Sequence, residues 1–426
     1  MNKTTLAISA PVDTYSGYGA RARDIVRVLL ATEKYDIQIL SQRWGNTRFG
    51  YLKDHNDTEL TPLIVPNLTA QPEVWVQITV PNEFQPVGKY NIGITAGIET
   101  TLCAPEWIDG CNRMNLVLTS SNHSKAVFEN SQFEKRDQKT QALEGIVKLE
   151  TRVEVLFEGV DTDKYFPAKT KAQSDLVSSI DEISESFCYL FVGHWLPGSL
   201  GHDRKNIGYT IKAFLETFKN KQNAPALVLK TMRASTSIMD RENVLKQINS
   251  IRSSVKGKLP NIYLLHGEVS DEEMNNLYNH PKIKAMVSFT KGEGFGRPLL
   301  EFAATKKLVI ASGWSGHMDF LNTNDALIVG GDLEKVDKSA STKNVILTES
   351  SWFRPDDGQV AKAFKESYKN YKQYTIGAKR LGTTAKKEFS LERMTEVLDE
   401  LLIQYLPQFP KRVELKLPNL DLPTLK

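Results

Sequence analysis

Short apolar runs alternate along most of the chain with longer stretches whose apolar residues return every three or four positions, the pattern of strands alternating with helices. Residues 4–10 read as a buried strand that passes through Ser16-Gly17-Tyr18-Gly19 into a helical pattern carrying Ile25, Val28 and Leu29. Strand-like runs follow at 37–40, 74–80, 91–95 and 116–120, which predicts a mostly parallel sheet. Residues 133–148 are highly charged, break the pattern and predict an exposed insertion. Residues 168–185 are polar and poor in large apolar side chains, so a domain junction is placed there. A second alternating series starts at 189–192 and continues at 226–229, 262–265, 285–287 and 308–310. Helical patterns then cover 361–374 and 391–405, Pro407 and Pro410 stop the second, and an extended tail is expected after it.

The length of 426 residues exceeds one ordinary core, which agrees with two α/β domains. The 54 Lys+Arg against 51 Asp+Glu leave +3, too little to imply nucleic acid or an anionic membrane as partner by bulk charge. Cys103, Cys111 and Cys188 fit neither a disulfide framework nor a zinc cluster and read as buried thiols in a reducing cytoplasm. No run is long and apolar enough to span a bilayer, and the first strand does not resemble a signal peptide; a soluble, cytoplasmic protein is expected.

Candidate chemistry concentrates at 288–301, Ser-Phe-Thr-Lys-Gly-Glu-Gly-Phe-Gly-Arg-Pro-Leu-Leu-Glu. An apolar strand precedes it, Gly294 and Gly296 mark a turn, and Pro298 suits a helix start. The helix start would offer unpaired N–H groups to an anion, with Glu293 at the loop mouth and Glu301 near the first turn. Gly17 and Gly19 form a weaker signal of the same kind, equally consistent with a plain tight turn. Arg21, Arg23 and Arg27 on the following helix fit either a solvated face or phosphate contacts. Residues 43–49 mix Arg43, Trp44, Arg48 and Phe49 without periodicity; an acceptor-binding loop and a loop packed on the sheet by Trp44 are both open.

Glu293-Gly294-Phe295-Gly296 with Glu301 resembles the E-x7-E signature of the retaining glycosyltransferases of family four. The resemblance extends to 266–273 with Leu277-Tyr278, to Arg204-Lys205-Asn206-Ile207, to 312–317 with Asp319, and to Glu158-Gly159-Val160-Asp161. It implies the GT-B architecture: a Rossmann-like acceptor-side domain over 1–165, a donor domain over 166–385, a helix at 386–408 crossing back, and a tail at 409–426. It also implies a nucleotide diphosphate sugar, with UDP-sugar first among donors, as co-substrate, and no cofactor or metal. Lys205 and Arg204 would then neutralise the leaving diphosphate, with Gly17, Gly19 and the backbone of Gly294, Phe295, Gly296 and Arg297 around the donor. Glu301 would hold the ribose, Glu293 the sugar hydroxyls, and the backbone at Glu268 and Val269 the base.

Two departures matter. Gly193 is followed by His194 where many relatives have arginine, and the first-domain stretch that often carries a histidine reads Gly97-Ile98-Glu99-Thr100-Thr101. Glu99 is therefore a candidate catalytic and acceptor-side group, beside Trp44 and Arg48, and a structural hydrogen bond is its bland alternative. Residues 81–86 and 99–107 are similar to glycosyltransferases of large tailed bacteriophages, which implies 5-hydroxymethylcytosine in double-stranded DNA as acceptor and a host cytoplasm as location. Arg21, Arg23, Arg27, Arg43, Arg48 and Trp44 would contact that DNA. A carbohydrate acceptor in surface polysaccharide synthesis and a non-catalytic nucleotide-sugar or nucleic-acid binding module are the alternatives.

Overall fold

A computed structural model describes residues 3–137, 139–168, 174–233 and 235–410. The first domain carries strands β1 (Thr4–Ala10), β2 (Tyr35–Ser41), β3 (Val74–Ile78), β4 (Tyr90–Ile94), β5 (Leu116–Thr119), a hairpin β6 (Gln132–Arg136) and β7 (Leu143–Lys148), and β8 (Arg152–Val155). The second carries β9 (Cys188–Val192), β10 (Ala226–Lys230), β11 (Ile262–Leu265), β12 (Ile283–Ser288), β13 (Leu308–Ser312), β14 (Leu327–Val329) and a hairpin β15 (Gly331–Lys335) and β16 (Ser351–Pro355). Helices α1 (Gly17–Ala31), α2 (Tyr51–Asp54), α3 (Pro105–Cys111) and α4 (Asn122–Asn130) belong to the first part. They are followed by α5 (Asp175–Asp181), α6 (Ile207–Phe218), α7 (Ile238–Ser254), α8 (Asp271–Asn279), α9 (Arg297–Ala304), α10 (Asp357–Lys369), α11 (Tyr371–Glu388) and α12 (Leu391–Tyr405).

Each domain is built on a six-stranded sheet, in the orders β2-β1-β3-β4-β5-β8 and β11-β10-β9-β12-β13-β14. Every pairing in both is parallel, and the inner strands are covered on two faces, as their near-continuous apolar runs require. The strand order turns back at β1/β3 in the first sheet and at β9/β12 in the second; ligand crevices form outside the carboxyl ends of strands at such points. One apolar cluster runs from Leu6, Ile8 and Val26 to Leu190, Val228 and Phe302, bridged by Leu156, Val160, Phe295 and Met394. The chain crosses between domains at Val160, whose N–H donates to Phe389 O (2.8 Å) while Leu391 N–H donates to Val160 O (3.1 Å). From that crossing α12 returns to pack on α1.

Several local expectations are refined or corrected. The charged stretch 133–148 is exposed along much of its length, as expected of an insertion, and takes the form of a hairpin that Phe133 and Val147 anchor on the core beneath. The single helical pattern at 361–374 is two helices, α10 and α11, broken at Asn370, whose φ of −116° and ψ of 28° leave the helical region. Gly17 and Gly19 stand in the first turn of α1, not in a loop; Ser16 caps that turn by accepting from Gly19 N–H at 2.9 Å. The three cysteines are free and buried. Among the described residues no helix is long and apolar enough to cross a membrane. The tail after residue 410 lies outside the described residues.

Candidate active site

At the turning point of the second sheet, β9 ends in Gly193-His194 and β12 ends in the turn that leads to α9. A third segment, 203–206, is brought alongside by two anchors. Asn206, in the left-handed region at φ 55°, donates through Nδ2 to Phe289 O (2.9 Å), and Lys291 N–H donates to Arg204 O (2.9 Å). The anchors place Lys205 Nζ 2.7 Å from both carboxylate oxygens of Glu293. Arg204 Nη1 lies 3.1 Å from Gly292 O, 3.4 Å from Glu293 Oε2 and 3.5 Å from Glu99 Oε1, the last belonging to the first domain. The Glu293, Lys205 and Arg204 side chains are only 8, 14 and 16% exposed. Burial would raise the Glu293 carboxyl, but Lys205 and then Arg204 outweigh it and hold it at about 2, so it is ionised throughout the neutral range. Its backbone is fixed too: Glu293 N–H donates to Ser315 Oγ (2.9 Å), and Gly316 N–H donates to Glu293 O (2.9 Å).

The two domains meet on this turn. A Cβ added at Gly292 would overlap the Glu99 carbonyl, and one at Gly294 would overlap the Ala96 carbonyl. Ser120 Oγ spans the contact, 3.0 Å from Gly294 O, and nearby Asn122 N–H donates to Asp319 (2.8 Å) and Thr101 N–H to Ser351 O (2.9 Å). Ser120 and Asn122 were not singled out from the sequence, since isolated serines and asparagines carry no pattern; only the domain contact gives them partners.

Glu301 and Arg297 form a second charged group. Arg297 donates to Glu301 (2.8 Å) and to Asp24 of α1 (2.5 Å), which makes it a bridge between domains as well as a residue of the turn. Burial pushes the Glu301 carboxyl up to about 7, with Arg297 working against it. Phe295 is buried in the core between Phe320 and Phe389, so its side chain serves packing. Gly296 takes φ 97°, which reverses the chain into α9.

The arginines of α1 require a correction. Arg21 (2% exposed) donates to Leu156 O (2.8 Å) and faces Glu158 at 3.6 Å. Arg23 (5% exposed) donates to Val12 O (2.8 Å) and Thr14 O (2.9 Å), with Tyr51 stacked beneath it. Arg27 is paired with Asp57 and Glu59. Arg21 and Arg23 therefore hold the interior together and present nothing to DNA, because their guanidinium hydrogen bonds end on buried backbone carbonyls. The helical spacing of three arginines looked like a surface face; the sequence carries no mark of the carbonyls that turn two of them inward.

A cleft of about 1340 Å³ opens between the domains, lined by Glu268, Val269, Gly193, His194 and Pro298 on one side and by Tyr15, Tyr51 and residues 54–59 on the other. It takes in the two residues expected near the base but neither Glu293 nor Glu301. Geometry links the parts: the Lys205 stem would lie 3.7 Å from a Cβ at Gly193, on the cleft wall. Arg48 bridges the cleft, paired with Asp54 (2.5 Å) in its own domain and with Glu268 (3.1 Å) in the other. Trp44 stacks on Tyr18 at 4.0 Å and borders a separate cavity of about 350 Å³ at the ends of β1 and β3, with Trp75, Gln42, Gln77 and Arg43. The site thus joins Glu293, Lys205, Arg204 and Glu99 in one cluster, sets Arg297 and Glu301 in another, and leaves Trp44 in a third place. His317 is fully buried and bonded to Ser312 O at 2.6 Å.

No family model and no curated protein matches the chain by sequence. Solved structures do match over nearly its whole length. A glycosyltransferase from Rickettsia africae superposes with a TM-score of 0.61 at 17% identity, covering 95% of this chain and 99% of that one. Anabaena HepE in complex with UDP-glucose gives 0.59 at 13% identity over 94 and 99%. A sucrose-phosphate synthase from Thermosynechococcus elongatus gives 0.59 at 11% identity over 95 and 99%. At these identities the likeness concerns the fold, and the fold is GT-B: two Rossmann-like domains facing an interdomain cleft.

Proposed function

We propose that the protein is a retaining glycosyltransferase that moves a sugar from a nucleotide diphosphate sugar, with UDP-sugar as the first donor to test, to a hydroxyl acceptor. The observation that carries this reading is the buried cluster of Lys205, Arg204, Glu293 and Glu99 at the domain contact. Breaking a glycosidic bond to a diphosphate builds negative charge on the leaving group, and fixed cations in a water-poor site stabilise that charge strongly. Lys205 and Arg204 are such cations. Glu293 and Glu99 offer carboxyl oxygens as acceptors for donor hydroxyls, and Glu268 and Val269 on the cleft wall receive the base. The structural likeness to a protein solved with UDP-glucose supports the donor class. In this reading residues 1–165 form the acceptor-side domain, 166–385 the donor domain, and 386–408 return to the first.

The acceptor we put first is 5-hydroxymethylcytosine in phage DNA, approached by Arg43, Arg48 and Trp44, which retain exposed surface. One observation favours a second reading: the cavity beside Trp44 and Trp75 carries glutamines and one arginine, a lining that suits a carbohydrate unit stacked on an indole. Incubating protein with a panel of nucleotide sugars and either hydroxymethylcytosine DNA or an oligosaccharide panel, then weighing the products, decides between them. A mass increase on the nucleoside supports the DNA acceptor. Saturable UDP binding with no turnover of any donor, including hydrolysis, would sink the enzyme reading in favour of a binding module.

A further inference from the structure

A second cavity, of about 630 Å³, lies between α6, α10 and the β15–β16 hairpin and shares no lining residue with the interdomain cleft. Its volume falls in the range of small-molecule sites, roughly 300–1,000 Å³. Two of its lining residues, Asn206 and Lys291, flank the charged cluster in the chain: Asn206 follows Lys205 directly, and Lys291 precedes Glu293 by two positions. Asn206 is 1% exposed; its Nδ2 is used on Phe289 O, and its Oδ1 has no hydrogen-bond partner. A buried amide oxygen left in this state is an acceptor waiting for a hydroxyl or amine.

The charge of the wall is equally uneven. Its carboxylates are already engaged: Glu334 pairs with Lys291, Asp357 accepts from Tyr209 Oη (2.8 Å), and Glu216 pairs with Lys219 (2.5 Å). Lys212 on α6 and Lys365 on α10 line the same cavity and have no carboxylate partner among the described residues. The unsatisfied capacity thus includes two ammonium groups, the Asn206 amide oxygen and the buried Nδ1 of His202, which also lines the cavity.

We propose that this cavity is a regulatory site for a phosphorylated sugar, with Lys212 and Lys365 meeting the phosphate and Asn206 Oδ1 accepting from a hydroxyl. Occupancy bears on the cluster through segments already bonded to each other. Lys291 N–H and Thr290 Oγ1 both donate to Arg204 O, at 2.9 and 3.1 Å, so a ligand that fixes Asn206 and Lys291 fixes the backbone carrying Arg204 and Lys205. The coupling to donor rests on the function proposed above; the site itself does not. By linkage, whatever factor the ligand applies to UDP affinity, UDP applies to the ligand.

Calorimetric titration of the full chain with glucose 6-phosphate, with glucose and with inorganic phosphate tests the site. The expected result is saturable binding of glucose 6-phosphate, weaker binding of phosphate and none of glucose. In Lys212→Ala/Lys365→Ala, whose substituted side chains are exposed, glucose 6-phosphate affinity should drop at least tenfold while UDP affinity stays within twofold. Asn206→Gly keeps the left-handed backbone and should weaken the sugar phosphate more than inorganic phosphate. No saturable binding to the wild-type chain, or equal binding by the double variant, overturns the proposal. UDP titrated alone in the same preparation reports separately on the donor reading, so failure of one is distinguishable from failure of the other.

Discussion

Both domains place a pair of glycines where a central strand passes into a helix, in the first helical turn after β1 and in the loop after β12, and the two pairs serve different ends. After β1, Gly17 faces open space, while Gly19 packs against Pro11 and Thr14 of its own loop. The arginines that follow turn into their own domain. After β12, Gly292 and Gly294 are pressed against Glu99 and Ala96 of the other domain, and the charges beside them meet across that contact. One turn closes a local packing problem; the other is where the two halves of the molecule fit together. Glycine spacing in a sequence reports close approach without saying to what.

The difference can be broken most forcefully at Lys205. Lys205→Ala leaves Glu293 buried with only the longer Arg204 contact, and breaking a buried pair costs about 3–5 kcal/mol. Chemical denaturation should show that loss, and donor turnover should fall sharply with it. Adding Glu293→Ala should restore much of the stability and none of the turnover. A double variant as unstable as Lys205→Ala alone would mean that the pair is not coupled as drawn.

Gly294→Ala sharpens the contrast between the turns. Displacing the domains by an ångström at the reacting centre costs on the order of 10²-fold in rate. Gly17→Ala meets nothing within 4 Å and should leave turnover within about twofold and slightly favour the helix. Comparable rates for the two variants would remove the assignment of the domain contact to catalysis.

Glu301 gives a pH signature. Its carboxyl rises from 4.5 to about 7 on folding, so between those values the folded state holds a proton that the unfolded state has lost. Stability then falls as pH rises through this window, by up to about 3 kcal/mol for a shift of this size. Glu301→Gln, which cannot ionise, should flatten that part of the profile in denaturant midpoints measured from pH 4.5 to 8. An unchanged slope would show that Glu301 is ionised by its Arg297 contact at all these values.

A last comparison, which ends on the smallest effect, separates the arginines. Arg23→Ala removes two hydrogen bonds to buried carbonyls, each of which then costs about 1–3 kcal/mol unpaired. Arg48→Ala removes an exposed bridge and should change stability by less than about 1 kcal/mol. Thermal melts of the two variants compare them directly; equal shifts would place Arg23 on the surface with Arg48.

Much of the architecture was legible because buried parallel strands must be apolar throughout. The ten runs picked out by that property all fall in the two six-stranded sheets. The edge strand β8, the short β14 and the β15–β16 hairpin were not, since Arg152–Val155 and Gly331–Lys335 are partly or largely exposed and their charged residues carry no core pattern. Helix breaks hide for a similar reason: Asn370 interrupts neither the apolar spacing nor the composition around it. Within the site, the acids and cations stood in recognisable order, but their partners did not. Arg297 read as a backbone element of the turn and proved to hold Asp24 and Glu301.

By itself, then, the sequence determined two α/β domains, the turn at 292–296 and the residue types gathered around it, because periodicity, glycine and charge are written locally. Tertiary structure decided which charges face each other. The Glu99–Arg204 approach joins residues about a hundred positions apart, and Arg21 and Arg23 find carbonyls that only the packed domain creates. Pairing across a domain contact depends on where whole sheets come to rest, and no local pattern encodes that.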